Sequence, residues 1–208
     1  GPYNRSRLLI GGWLTLAISV VSGIGSHIAG IGFVIAEHRC RRGWVLWCIR
    51  APSRMFVVCA RMTPPILQLY IVFFGLSGLL ANYLGIRLSS FVVASVVFSF
   101  YAGASNAAIL LPALIRSQQA DPQASLSTLL IRAVEQTYAS LVSIIVNIVK
   151  AAGMASTIAL PEVISVVNGI INEGGDATSL MSLLLAFYFS FVLVVIALLN
   201  LLKRWVVP

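Results

Sequence analysis

Residues 61–80 read RMTPPILQLYIVFFGLSGLL. An arginine and a Thr-Pro-Pro step lead into a long apolar run, and Gln68 stands alone inside it. An α-helix can cross a bilayer because it satisfies its own backbone hydrogen bonds. A side-chain amide within such a helix is costly unless it meets protein, water or a ligand. Pro64 and Pro65 suit a first helical turn, where the missing N–H would have no partner. The stretch therefore predicts a membrane-spanning helix with one polar face.

The composition extends that reading to the whole chain. Of the 208 residues, 59% are hydrophobic and 10% charged, with a mean hydropathy of +0.98. A soluble domain carries about 25% charge, so the chain is read as an all-α, polytopic integral membrane protein. The formal net charge of +8 would suggest nucleic acid in a soluble chain. Here the basic residues fall between apolar segments, which points to membrane orientation and excludes a nucleic-acid partner. Cys40, Cys48 and Cys59 match no zinc or CxxC spacing and read as free thiols, so no metal site is expected. Gly1-Pro2 reads as a protease-cleavage scar, which places the native start elsewhere. The first apolar segment is too long for a cleavable signal peptide.

Five spans are expected, at about residues 8–36, 64–86, 91–115, 133–150 and 180–202, within a single membrane domain covering 1–208. In the first, Gly23 and Gly25 with Ser22 and Ser26 would allow close helix approach. His27 reads either as an interface histidine or as a pathway residue. Residues 37–61 hold six of the fourteen Lys/Arg, so this side is assigned to the cytoplasm. With Trp44 and Trp47 among them, they form either a helix at the headgroup boundary or a loop plus the first turns of the next helix. Pro112 implies a kink or break in the third span. A polar loop follows at 117–127. Residues 151–162 are small, broken by Gly153 and Pro161, and expected to sit at membrane depth against protein. Lys203, Arg204 and Trp205 would anchor the last span on the cytoplasmic side, leaving the N-terminus outside and the C-terminus inside.

The order of these features resembles the permease subunit of the polar amino-acid importers of the ATP-binding-cassette (ABC) superfamily. That family's second span begins Arg-Gly-Thr-Pro and continues with Gln-Leu and an aromatic-Gly-Leu. Here the residues are Arg61-Met62-Thr63-Pro64, Gln68-Leu69 and Phe74-Gly75-Leu76. The family's Tyr-Gly/Ala-Ala-Tyr-Asn-Ala-Glu is similar to Tyr101-Ala102-Gly103-Ala104-Ser105-Asn106-Ala107-Ala108. Its Leu-Leu-Lys and Val-Pro-Glu are similar to Ile148-Val149-Lys150 and Leu160-Pro161-Glu162. The resemblance covers residues 8–204. It implies a five-helix, type I importer (MetI-like) core in a bacterial plasma (inner) membrane. The implied partners are a second permease subunit (the same or related), separate ATPase subunits that carry ATP, and an extracytoplasmic substrate-binding protein. It also implies an amino-acid substrate and no enzymatic or cofactor chemistry on this chain.

The departures are equally specific. The family's cytoplasmic Glu-Ala-Ala loop forms a short helix that seats in the ATPase and transmits its movement. Residues 117–127 lack that sequence and its Gly, and Arg116, Asp121, Pro122 and Gln123 are the remnant of the coupling loop. Thr63, Gln68, Asn106, Asn147 and Lys150 are the candidate pathway residues; each could instead act in helix packing. Glu162 and Glu173 are read as solvated outer loop or as contacts for the outer partner. Because the coupling loop is eroded, a non-pumping receptor or scaffold that keeps the permease fold is the alternative. An ion-coupled carrier finds less support, since no inverted repeat is legible.

Overall fold

The computed structural model describes residues 2–39 and 44–206, with side chains at 3–39 and 50–204. These residues form helices α1 (Pro2–Arg39), α2 (Trp44–Met62), α3 (Pro65–Tyr70), α4 (Ser77–Leu84), α5 (Ser90–Ala120), α6 (Leu126–Ala152), α7 (Val163–Asn172) and α8 (Ala177–Val206). A π-helical turn, Ile71–Leu76, joins α3 to α4, and a 3-10 turn, Gly153–Ile158, follows α6. Among the described residues, five segments are long and apolar enough to cross a membrane: Tyr3–Arg39, Pro65–Leu84, Ser90–Ala120, Leu126–Ile158 and Ala177–Arg204. The chain is a multi-pass membrane protein.

The core is the crossing of α1 and α5, with α6 packed on α5 and also touching α1. A line of small residues on α1, Thr15, Ser19, Ser22 and Ser26, is buried. Hydroxyls at 15 and 19 return a hydrogen bond to the carbonyl four residues back, and Ser26 to the one three back, whereas Ser22 Oγ is buried with no hydrogen-bond partner. Gly30 and Gly103 set the separation. A Cβ on Gly103 would stand 2.7 Å from the Ala29 Cβ, and one on Gly30 would stand 2.7 Å from the Asn106 Cβ. Close approach was expected at Gly23 and Gly25. Gly25 does press on Ser99, but Gly23 has nothing within 4 Å.

Ser89 and Ser125 cap α5 and α6 by accepting the Val92 and Thr128 N–H groups. Of the expected kink or break at Pro112, the structure removes the break: α5 continues as one helix through it. The basic section, read equally as helix or loop, is the helix α2; the side chains of Trp44, Trp47 and Cys48, and residues 40–43, lie outside the described set. α8 is peripheral. No residue of its most apolar window is buried, so its exposed leucines face lipid or another chain.

Candidate functional site

The expected signature of the second span has a local role. Gln68 Nε2 donates to the Ala60 carbonyl at 2.7 Å and to the Thr63 carbonyl at 2.8 Å. Both carbonyls belong to the end of α2 and the corner after it, where carbonyls lack helical partners. Thr63 N–H in turn donates to the Cys59 carbonyl at 3.0 Å. Gln68 therefore ties α2 to α3 through its amide nitrogen. Asn106 is fully buried at the α1–α5 crossing, and its Nδ2 donates to Ser26 Oγ at 3.3 Å. Its Oδ1 is buried with no hydrogen-bond partner.

The other two candidate pathway residues stand together. Asn147 and Lys150 are exposed and one turn apart on α6. They end a line that also holds Gln136, Ser140 and Ser143, all exposed and all polar. The spacings 136, 140, 143, 147 and 150 trace one face of a helix. At 1.5 Å per residue the line runs about 21 Å, two-thirds of a hydrocarbon core of about 30 Å. It lies one position, about 100° around the helix, from the buried line Thr137, Leu141, Ile144 and Ile148 that packs on the body of the protein. Lipid offers such groups no hydrogen-bond partners. Gln136 and Ser143 find partners within the protein, at Ser117 Oγ and the Ala139 carbonyl, so it is Ser140, Asn147 and Lys150 that call for water, solute or another chain. Lys150 also sits in the last turn of α6, where the helix dipole favours a cation.

At the opposite end of α6 the structure shortens the expected loop further. α5 continues through Arg116 to Ala120, so residues 117–120 are helical rather than loop. The connection to α6 is a turn at residues 121–125. Arg132 Nη1 holds the Asp121 carboxylate at 3.1 Å, and Gln136 Nε2 donates to Ser117 Oγ at 3.2 Å. Pro122 and Gln123 are exposed at its tip and Arg116 on the last turns of α5. No separate coupling helix is present between α5 and α6.

Of the two expected outer contacts, Glu173 is exposed and ion-paired to Arg7 at 2.6 Å. The Arg7 guanidinium holds the Glu173 carboxyl below its usual range. Glu162 is a correction: it is fully buried rather than solvated. Its carboxylate caps α7, accepting the Ile164 and Ser165 N–H groups at 2.9 Å each, with Thr15 Oγ1 at 3.5 Å. Thr15 Oγ1 also accepts the Val163 N–H at 3.2 Å. Burial pushes the Glu162 carboxyl up despite those hydrogen bonds. A buried cap cannot reach an outer protein. It locks α7 and the 3-10 turn against α1.

No family model matches the sequence. No curated protein matches it either. The fold does match. The chain superposes on a crystal structure of an amino acid ABC transporter with histidines at a TM-score of 0.75, covering 96% of this chain and 94% of that one at 15% identity.

The chain has the fold of an ABC transporter chain.

At that identity the shared property is architecture. The likeness spans nearly the full length of both chains. Sequence reasoning singled out Asn147 and Lys150 but missed Gln136, Ser140 and Ser143. The missing signal was their common heptad-like spacing, which is present in the sequence.

Proposed function

We propose that this chain is the transmembrane subunit of an ABC-type amino-acid importer. The observation that carries the proposal is the exposed polar stripe of α6 within a full-length match to a transporter fold. Two such subunits, identical or related, would set their α6 stripes around a shared aqueous path. Alternating access would then open that path to either side. Asn147 and Lys150 would meet the substrate: an ammonium held in the last helical turn suits an α-carboxylate. A neutral or acidic amino acid fits a stripe with no carboxylate better than a cationic one. ATP would bind and be hydrolysed on separate subunits, and an extracytoplasmic protein would deliver the substrate. The basic ends of α2 and α8, and Arg116 near the end of α5, would lie on the cytoplasmic side of a bacterial inner membrane, with the N-terminus outside and a type I, MetI-like core.

The test is ATP-driven uptake of amino acids into vesicles that hold this chain with an ABC ATPase that copurifies with it. Uptake that requires both proteins supports the proposal. Absence of a stable complex with the ATPase across mild detergents would sink it. One observation favours a second reading, a receptor or scaffold that keeps the fold without pumping. The turn at 121–125 offers an ATPase little surface, and such a protein would bind its outer ligand with no ATPase attached.

A further inference from the structure

A second polar feature lies between other helices and shares no residue with the α6 stripe. A cavity of about 230 Å³ opens between α1, α2 and α5. Glu37, Ser53, Arg54 and Arg61 line its polar side, and Val57 and Leu111 are part of its apolar side. Arg54 and Arg61 are seven residues apart on α2, so they share a face and stand about 10 Å apart along the axis. Both are exposed, and neither has a carboxylate partner among the described residues.

The chain cannot easily supply one. Glu37, the acid of the cavity, is buried and accepts from Arg50 Nε at 2.7 Å. Asp121 is paired with Arg132, and Glu173 with Arg7. Glu162 and Asp176 cap α7 and α8. Glu135 is the remaining acid of the six in the chain, and it lies on α6, outside the cavity lining. With a net charge of +8, the counter-charge for Arg54 and Arg61 has to come from outside the protein.

We propose that this cavity binds the headgroup of an anionic phospholipid. The phosphate would pair with the two guanidinium groups, which offer planar, forked donors to its oxygens. An acyl chain would then run along the apolar side of α2, where Met55, Phe56 and Val58 are exposed. The rings of Phe33, Phe56 and Phe100 form a continuous wall there, with centroids 5.5 to 6.2 Å apart. Basic pockets between membrane helices hold lipid headgroups on this principle. A free phosphate would use the arginines but leave the apolar wall bare.

The proposal is tested on the intact chain in detergent, titrated with phosphatidylglycerol or phosphatidylcholine and read by native mass spectrometry. One tightly held phosphatidylglycerol is expected, and no equivalent phosphatidylcholine. Arg54→Gln with Arg61→Gln should weaken that lipid about 30-fold, at about 1 kcal/mol per cation near a membrane surface. Val57→Trp, which fills the cavity and keeps both charges, should also release it. Arg54→Lys with Arg61→Lys covers the case in which the neutral pair fails to fold, and should retain part of the affinity. Unchanged phosphatidylglycerol retention in the Gln pair would overturn the proposal. So would equal retention of phosphatidylcholine, or displacement of the lipid by inorganic phosphate alone.

Discussion

Gln68 Nε2 lies 2.7 Å from the carbonyl oxygen of Ala60, eight residues earlier and across the α2–α3 corner. The amide that marks the second span thus fixes how that span meets the basic helix before it. Gln68→Leu removes this hydrogen bond and the one to Thr63. At about 0.5–1.5 kcal/mol for each, the expected loss of stability is about 1–3 kcal/mol. Thermal unfolding in detergent reads it as a lowered midpoint. An unchanged midpoint would mean that the corner does not depend on the amide.

The α1–α5 crossing separates two glycines that look alike in sequence. Gly103→Ala places a methyl 2.7 Å from Ala29 and 3.2 Å from the Ser26 carbonyl. Overpacking of this kind costs about 1–3 kcal/mol. Gly23→Ala meets nothing within 4 Å, and should be neutral or stabilising by up to about 1 kcal/mol through helix propensity. The two variants compared by the same unfolding assay should move in opposite directions or differ by that margin. Equal effects would contradict the close crossing.

Glu162 predicts a pH dependence. Burial holds its carboxyl above the ordinary value of 4.5. A raised acid binds its proton more tightly in the folded state, so its contribution is fully present below the ordinary value. It is lost as pH rises through the raised one. Relative to Glu162→Gln, the wild type should therefore lose stability as pH rises above 4.5. Parallel pH profiles for the two proteins would refute this. Glu162→Ala, which leaves α7 uncapped, should cost about 0.5–2 kcal/mol where that contribution is intact.

Lys150 carries the recognition prediction. Lys150→Ala should lower amino-acid affinity by about 10- to 100-fold, the range for a hydrogen bond to a charged group of about 1.5–3 kcal/mol. Folding should be little changed, because the side chain is exposed and outside the described ion pairs. Equilibrium binding to the reconstituted transporter measures it. Wild-type affinity in this variant would assign Lys150 to the helix terminus alone.

The membrane spans were legible because their signal is hydropathy over long windows, which tertiary contacts do not alter. The α6 stripe was half legible. Asn147 and Lys150 stand out as polar groups in an apolar run, whereas Ser140 and Ser143 look like ordinary packing serines until their spacing is counted. The role of Gln68 was not legible, since its partners are backbone carbonyls that sequence does not mark. Glu162 was misplaced for a related reason. An acid after proline near a chain turn reads as solvated, and only the fold brings Thr15, 147 positions away, onto its carboxylate. The π-helical turn at Ile71–Leu76 also carries no local signature in an apolar run.

The most direct test of the central claim is thiol accessibility along α6. In a variant whose Cys40, Cys48 and Cys59 are replaced by serine, single cysteines are placed at Ser140, Ser143 and Asn147, with the exposed Leu193 on the apolar α8 as the reference. The assembled transporter in membranes is then treated with a charged, water-soluble thiol reagent. An aqueous path predicts labelling at 140, 143 and 147, none at 193, and protection by the amino-acid substrate. Failure to label the three α6 positions, or labelling no greater than at 193, would contradict the account.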